Sequence, residues 1–416
     1  MAGPVKKKPF RMRLSHSAIA TFKRCPEAWR IAYLWGIRPK ETTESLYDGT
    51  NWHDGLEILS MPLEGVCRRC ADKSKADPDC GICQGTTFLV GEPMEAVARC
   101  LERAYGKYGN MSPEKAEKME TRRTILLYSL AAYQWYYSED DTVKKVLAPE
   151  LPFDTVLVNS VTGKPFPNIR VVGKIDKYFE HRNGKRYVLE HKSTTSNLDD
   201  DSDYWNKLRF DPQTTMYPWA MRDMQAKDEL LGYGVKDGDT PLSGVLYDVW
   251  KKPKIKPKKI DAARAKEMVT TGIYCDESFT VEAGVDDHHI VINGEITGRF
   301  PAAKGNGFQI KETQAMFGAR LLQVIVKDPE IYFQRKEISR TTEDLAKFEQ
   351  QMVNITRTMR HMVSMDCFYC NSTSCDDFGS CDSKAICYND LAVGPDDVPT
   401  GYEKIYDAKG DRIHGN

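Results

Sequence analysis

The chain has no run of 18 or more apolar residues, so no stretch is long enough to cross a membrane as a helix. It has almost no net charge, −1 over 416 residues, so any hold on nucleic acid must come from local basic patches. The opening stretch, Met1 to Arg13, is basic but has no apolar core, so a signal peptide is not expected. Without a secretory signal, the twelve cysteines argue for metal sites over disulfides and for a cytoplasmic protein. The length suffices for a large core or two domains.

What is there is organised around residues 171–193. Val171 to Asp176 is rich in Val and Ile, and Tyr187 to Ser193 in Tyr, Val and Leu, which suits two strands. Between them, Asn183-Gly184 is a strong hairpin signal, because both residues tolerate positive φ. A two-residue loop would set Asp176 opposite His191. A three-residue loop with a left-handed Gly184 sets Asp176 opposite Glu190, which already shares a face with Lys192. The second register is expected, because it gathers Asp176, Glu190 and Lys192. Two adjacent carboxylates resist joint ionisation unless a cation sits between them, and oxygen donors suit Mg²⁺ or Mn²⁺. A lysine beside such a metal can orient an attacking water on a phosphodiester. The plainer reading is an edge hairpin with a solvated polar face.

Gly173-x-x-Asp176 followed by Glu190-x-Lys192 resembles the PD-(D/E)XK nuclease signature. The resemblance extends to the RecB-like branch with an iron–sulfur cluster, through residues in that family's order. Ser15 to Ser17, a short helix and Cys25-Pro26 resemble its opening, which implies that Cys25 is the first cluster ligand. Gly49-x-x-x-His53 resembles its second motif, which implies that His53 helps hold the catalytic metal; Gly49 is read as ending a loop before a helix through Trp52, Leu56 and Leu59. Gln213 and Tyr217, four apart on a helix begun by Pro212, resemble the motif that faces the active site. Cys375-x5-Cys381-x5-Cys387 resembles the terminal cluster motif and with Cys25 gives the four thiolates of a [4Fe–4S] cluster. The family's commoner spacing is Cys-x2-Cys-x5-Cys, so Cys367 and Cys370 stand as rival ligands and zinc as a rival metal.

Cys67-x2-Cys70-x9-Cys80-x2-Cys83 suits a tetrahedral Zn²⁺ site. Its simplest role is a staple for a loop too small to have a core. Glu150, at a strand opening, is either a third acid near the metal or an exposed strand end. Six lysines among residues 251–259, with Pro253 and Pro257, could track a phosphate backbone. The expected architecture is an α/β nuclease core with a central mixed sheet flanked by helices, a zinc-ribbon insertion and an iron–sulfur clamp. Its parts are an N-terminal helical part at 1–63, a ribbon at 64–90 and helices at 91–145. The catalytic core follows at 146–260, then a mixed insertion at 261–308, with Gly305 to Gly307 as a loop. A strand, a helix and the cluster motif occupy 309–390, and a polar tail 391–416.

The resemblance implies a metal-dependent DNA exonuclease of phage or bacterial replication, recombination or repair, with DNA as partner and room for a helicase or recombination protein. The rival readings are a non-catalytic DNA-binding or docking module of the same fold, and an RNA-processing protein using the ribbon. The intact Asp176, Glu190 and Lys192 argue against the first.

Overall fold

A computed structural model gives the fold of residues 12–41, 43–71, 76–106, 111–140, 142–159, 162–284, 286–302, 307–376 and 381–406. Residues 305 and 306 of the expected loop, Lys73 and Lys75 of the ribbon and 407–416 of the tail lie outside these. Among the described residues no helix is long and apolar enough to cross a membrane.

The centre is a six-stranded mixed sheet. Its strands are β1 (Met12–Leu14), β2 (Val143–Val158), β3 (Pro165–His181), β4 (Arg186–Thr194), β5 (Gly244–Lys251) and β6 (Phe333–Ile338). Strand β2 runs antiparallel along one whole edge of β3. The other edge of β3 is divided: β4 pairs antiparallel with Lys177 to Glu180, and β1 pairs parallel with Ile169 to Val171. The sheet continues with β5 parallel to β4 and β6 antiparallel to β5. The hairpin turns through Arg182, Asn183 and Gly184, closed by His181 N to Lys185 O at 2.8 Å, with Gly184 at φ +75°. This is the expected three-residue loop. Gly173 has its own reason: a Cβ there would come within 2.3 Å of the Phe153 ring on β2.

Helices cover both faces. On one lie α1 (His16–Arg24), α5 (Pro212–Ala226) and α7 (Thr342–Met365), which bury Ile19, Met216, Met221 and Met352 against Val188, Val245 and Val249. On the other lie α2 (Glu44–Leu59), α3 (Pro93–Tyr105), α4 (Pro113–Tyr136) and α6 (Gln314–Lys327), whose Trp52, Leu126, Leu130 and Phe317 pack with Trp250 and Phe333. Strand alternation decides which side chain meets which layer.

Three segments differ from the sequence reading. Helix α2 starts at Glu44 behind an N-cap at Thr43, so Gly49 lies inside the helix and does not end a loop. The cap wins because the Thr43 hydroxyl accepts from the Leu46 amide, satisfying a first-turn donor. The 261–308 insertion is larger and more regular than a mixed stretch. Strands Lys259–Ile260, Val281–Ala283, His289–Ile292, Glu295–Pro301 and Phe308–Lys311 form a five-stranded sheet beside the helix Ala262–Thr271. It has a small core of its own, including Met268, Ile292 and Ile310. In the expected tail, Tyr402 to Lys404 pair with Ile37 to Pro39, and the Tyr402 hydroxyl donates to Asp382 O at 2.9 Å.

Candidate active site and cysteine centres

The ladder between β3 and β4 ends at Lys177 opposite Leu189. One step further, where Asp176 would face Glu190, the strands part. The Asp176 carboxylate takes the place of the lost ladder bond: its Oδ2 accepts from the His191 amide at 2.9 Å. On the same oxygen side, His53 of α2 brings Nδ1 to 3.4 Å. Burial, then the neighbouring Glu190, push the Asp176 carboxyl well above the ordinary range. Burial pulls the His53 imidazole down.

Glu190 and Lys192 point together toward α5. Lys192 Nζ donates to Glu190 Oε1 at 2.5 Å and to Gln213 Oε1 at 2.9 Å. Gln213 Nε2 donates to Glu190 Oε1 at 2.7 Å, and the Tyr217 hydroxyl donates to Glu190 Oε2 at 2.5 Å. The helix supplies this pair because Asp211 caps it, accepting from the Gln213 amide at 2.7 Å, and four residues make one turn. Burial alone would lower the Lys192 ammonium, but Glu190 and then Asp176 outweigh it and hold it above the usual lysine value. Lys192 is thus held as a cation that donates its hydrogen bonds.

The structure thus brings together Asp176, Glu190, Lys192, Gln213, Tyr217 and His53. Glu150 joins their acidic side: it ion-pairs with Lys174 and adds to the field at Asp176 and His53. Other residues arrive here without a sequence signal. His16 of α1 puts Nε2 3.6 Å from Asp211 Oδ1, within the field of Lys192 and Glu190. Glu57 lies one turn beyond His53, its carboxyl raised by burial and by Glu150. His191 points to the opposite face from Glu190, with Nδ1 2.9 Å from Asp248 Oδ2, and burial lowers its ring to about 4. Arg335 Nε closes on Asp248 Oδ1 at 3.2 Å.

The donor set at Asp176, Glu190 and His53 fits a hard divalent cation. Asp176 and His53 lie 3.4 Å apart with Glu190 in their field, and Oε2 of Glu190 keeps accepting capacity beyond its one bond to Tyr217, although the ligand atoms of the three do not all come within 4.8 Å of one another among the described residues.

In the ribbon, the ligand atoms of Cys67, Cys70, Cys80 and Cys83 all lie within 4.8 Å of one another, and all four are buried. The arrangement suits one tetrahedral metal. Burial would raise the Cys80 thiol, but the Cys83 and Ile82 amides overcome it and bring it to about 7. The knuckle also touches the α2 helix that carries His53. Arg69 Nη2 reaches Asp54 Oδ2 at 2.7 Å, and Arg68 Nη1 donates to Pro149 O at 3.2 Å, beside Glu150.

The terminal cysteines gather more loosely. Cys25 is buried at the end of α1, where its sulfur accepts from the Asn371 amide at 3.4 Å. Cys370 and Cys381 feel the charges of Cys25 and Cys375, and Cys387 that of Cys370. Burial and then Cys370 push the Cys387 thiol up to about 12. Cys367 lies just past the end of α7, where its amide donates to Met362 O at 3.1 Å. Among the described residues only the ribbon cysteines close to metal-binding distance.

No curated protein matches the chain. Among the solved structures that match, the crystal structure of SSO0001 does so at 13% identity over 36% of this chain, with a TM-score of 0.17. The chain spans 56% of that protein's length, and so loose a likeness says nothing of function. A family model matches residues 13–388, from β1 to beyond the last cysteine, and so takes in both the parted strands and the lysine beside them. The chain belongs to the PD-(D/E)XK nuclease superfamily.

Proposed function

We propose that the protein is a metal-dependent DNA nuclease of the RecB-like branch, cutting phosphodiesters exonucleolytically in replication, recombination or repair. The observation that carries this is the Lys192 ammonium, bonded to Glu190 and Gln213 on the strand beside Asp176. Two of its three donors are taken among the described residues, which leaves one for a water or a phosphate oxygen. Asp176, Glu190 and His53 would hold Mg²⁺ or Mn²⁺, which supplies charge neutralisation for the phosphodiester and a more acidic water.

The residues then divide the work. Lys192 orients the attacking water and faces the negative charge that builds on the phosphoryl oxygens. Gln213 and Tyr217 hold Glu190 in one rotamer, so its free lone pairs point one way. The His191 amide fixes Asp176 without using a side chain. The Cys67, Cys70, Cys80 and Cys83 group would carry Zn²⁺ as a staple. Cys25, Cys375, Cys381 and Cys387 would carry a [4Fe–4S] cluster that ties the two ends of the fold. The exonuclease type and the cluster rest on the family resemblance of these residues.

The test is cleavage of matched DNA and RNA strands with Mn²⁺. Shortening of the DNA from an end, faster than that of the RNA, supports the proposal. Binding of DNA with no cleavage would leave a docking module, and preference for RNA would leave an RNA-processing protein.

A further inference from the structure

Two clefts flank the residues that lead into α5, and they share a wall. The first, about 1070 Å³, runs from Lys192 past Thr194, Tyr204 and Lys207 to Lys252. The second, about 890 Å³, lies on the far side and is lined by Lys23, Arg209, Phe210, Lys336, Arg340 and Lys347. Leu208 lines both, so the short helix Asp203–Lys207 and the turn Leu208–Phe210 form a ridge between them.

The ridge is pinned on both sides. Trp205 Nε1 donates to Leu198 O at 2.8 Å from within. From the second groove, Arg340 donates to Leu208 O at 2.7 Å and to Thr215 Oγ1 at 2.8 Å. On this fixed crest Phe210 is 85% exposed. A lone exposed phenylalanine is ordinary. This one stands on a rigid ridge above a groove with five cations against two acids, Glu337 and Asp344, on a chain of net charge −1. Lys336 and Lys347 have surface acid partners in Asp200 and Glu343. Lys23 and Arg209 have no carboxylate partner among the described residues. Phe210 also precedes Gln213 by three residues, so their Cα atoms are within about 11 Å. Gln213 touches Lys192.

A cationic track with an aromatic platform is the chemistry that holds a single strand: phosphates along the charges, a base on the ring. We propose that the groove beyond Phe210 binds the single-stranded DNA that flanks the scissile phosphate, with one base stacked on Phe210. The inference rests on the nuclease reading of Lys192 and adds the form of its substrate.

The test uses fluorescein-labelled oligodeoxythymidylates of about 6 and about 20 nucleotides, bracketing a site of several nucleotides. Binding is read by anisotropy in Ca²⁺, and cleavage of the short strand separately in Mn²⁺. In Phe210→Ala the preference for the long strand should fall about tenfold, while short-strand cleavage holds. Phe210→Trp should keep the preference, and Arg209→Glu should lower it and flatten its salt dependence. Phe210 is exposed, so the melting temperature should not move. An unchanged preference in Phe210→Ala overturns the proposal even if cleavage is normal. A lost preference in a protein that cleaves nothing keeps the groove and removes the nuclease reading. Binding of neither strand overturns both.

Discussion

The His191 backbone amide donates to Asp176 Oδ2 at 2.9 Å, at the point where β3 and β4 part. The site is thus built on a deliberate end to strand pairing. Asp176 is held between sheet and helix beside Glu190, in a place where its charge is costly.

That cost gives the first prediction. The Asp176 carboxyl is raised by burial and by Glu190, so the folded state holds its proton more tightly than the unfolded chain does. Stability from this group is present at low pH and is lost as pH rises through the raised value. At neutral pH without metal, Asp176→Asn should therefore melt higher than the parent, by on the order of 1 kcal/mol, while cleavage disappears. Thermal unfolding in chelator checks the sign; a lower melting point would contradict it.

The opposite face of β4 gives the second. His191 is held at about 4 by burial, below its ordinary 6.5. Stability from keeping it neutral is full above about 6.5 and drains as pH falls toward 4, by on the order of 3 kcal/mol. His53 and His16 are lowered too and act in the same direction. His191→Gln should therefore flatten the fall in melting temperature between pH 7 and pH 5 without abolishing it. An identical fall in the variant would remove His191 from the account.

The hairpin was legible because its information is local: Asn183-Gly184 sets the loop, and alternation does the rest. Gln213 and Tyr217 were legible as a helical pair that the family resemblance turned toward the active site, but that they hold Glu190 is seen only once α5 packs on β4. His191, Asp248, Arg335 and Tyr133 were not legible. They come from four distant segments and look like ordinary strand and helix residues until the sheet aligns them. The same holds for Arg68 and Arg69, whose partners lie on α2 and β2. Gly49 misled because glycine usually marks an end, whereas here the Thr43 cap decides.

The ribbon gives the third prediction. Cys67→Ser should reduce bound zinc from one atom to none and lower stability by on the order of several kcal/mol, because ligation present only in the fold adds to folding. Arg69→Ala should cost under about 1 kcal/mol, since the Arg69–Asp54 pair is partly exposed. Metal content with thermal unfolding separates them. A larger loss from Arg69→Ala would mean that ion pairs, not metal, hold the ribbon.

The two chain ends give the fourth. A cluster joining Cys25 to Cys375, Cys381 and Cys387 closes a loop of most of the chain, and such closure restrains the unfolded state. Cys25→Ala should lose iron and melt lower, yet its folded fraction should still cleave when assayed cold, because Asp176, Glu190 and Lys192 are held by the sheet and α5. Iron content and melting like the parent's would remove Cys25 as a ligand and bring in Cys370, which already lies in the field of Cys25.

The nuclease assignment itself stands or falls on Lys192. The direct measurement is the rate of DNA cleavage in Mn²⁺ for the parent and for Lys192→Ala, with DNA affinity in Ca²⁺ and melting temperature measured alongside. The parent should cut DNA, and Lys192→Ala should lose at least about a hundredfold in rate while remaining folded and bound to DNA. A folded Lys192→Ala that cuts at the parent's rate, or a parent that binds DNA and cuts none, would contradict it.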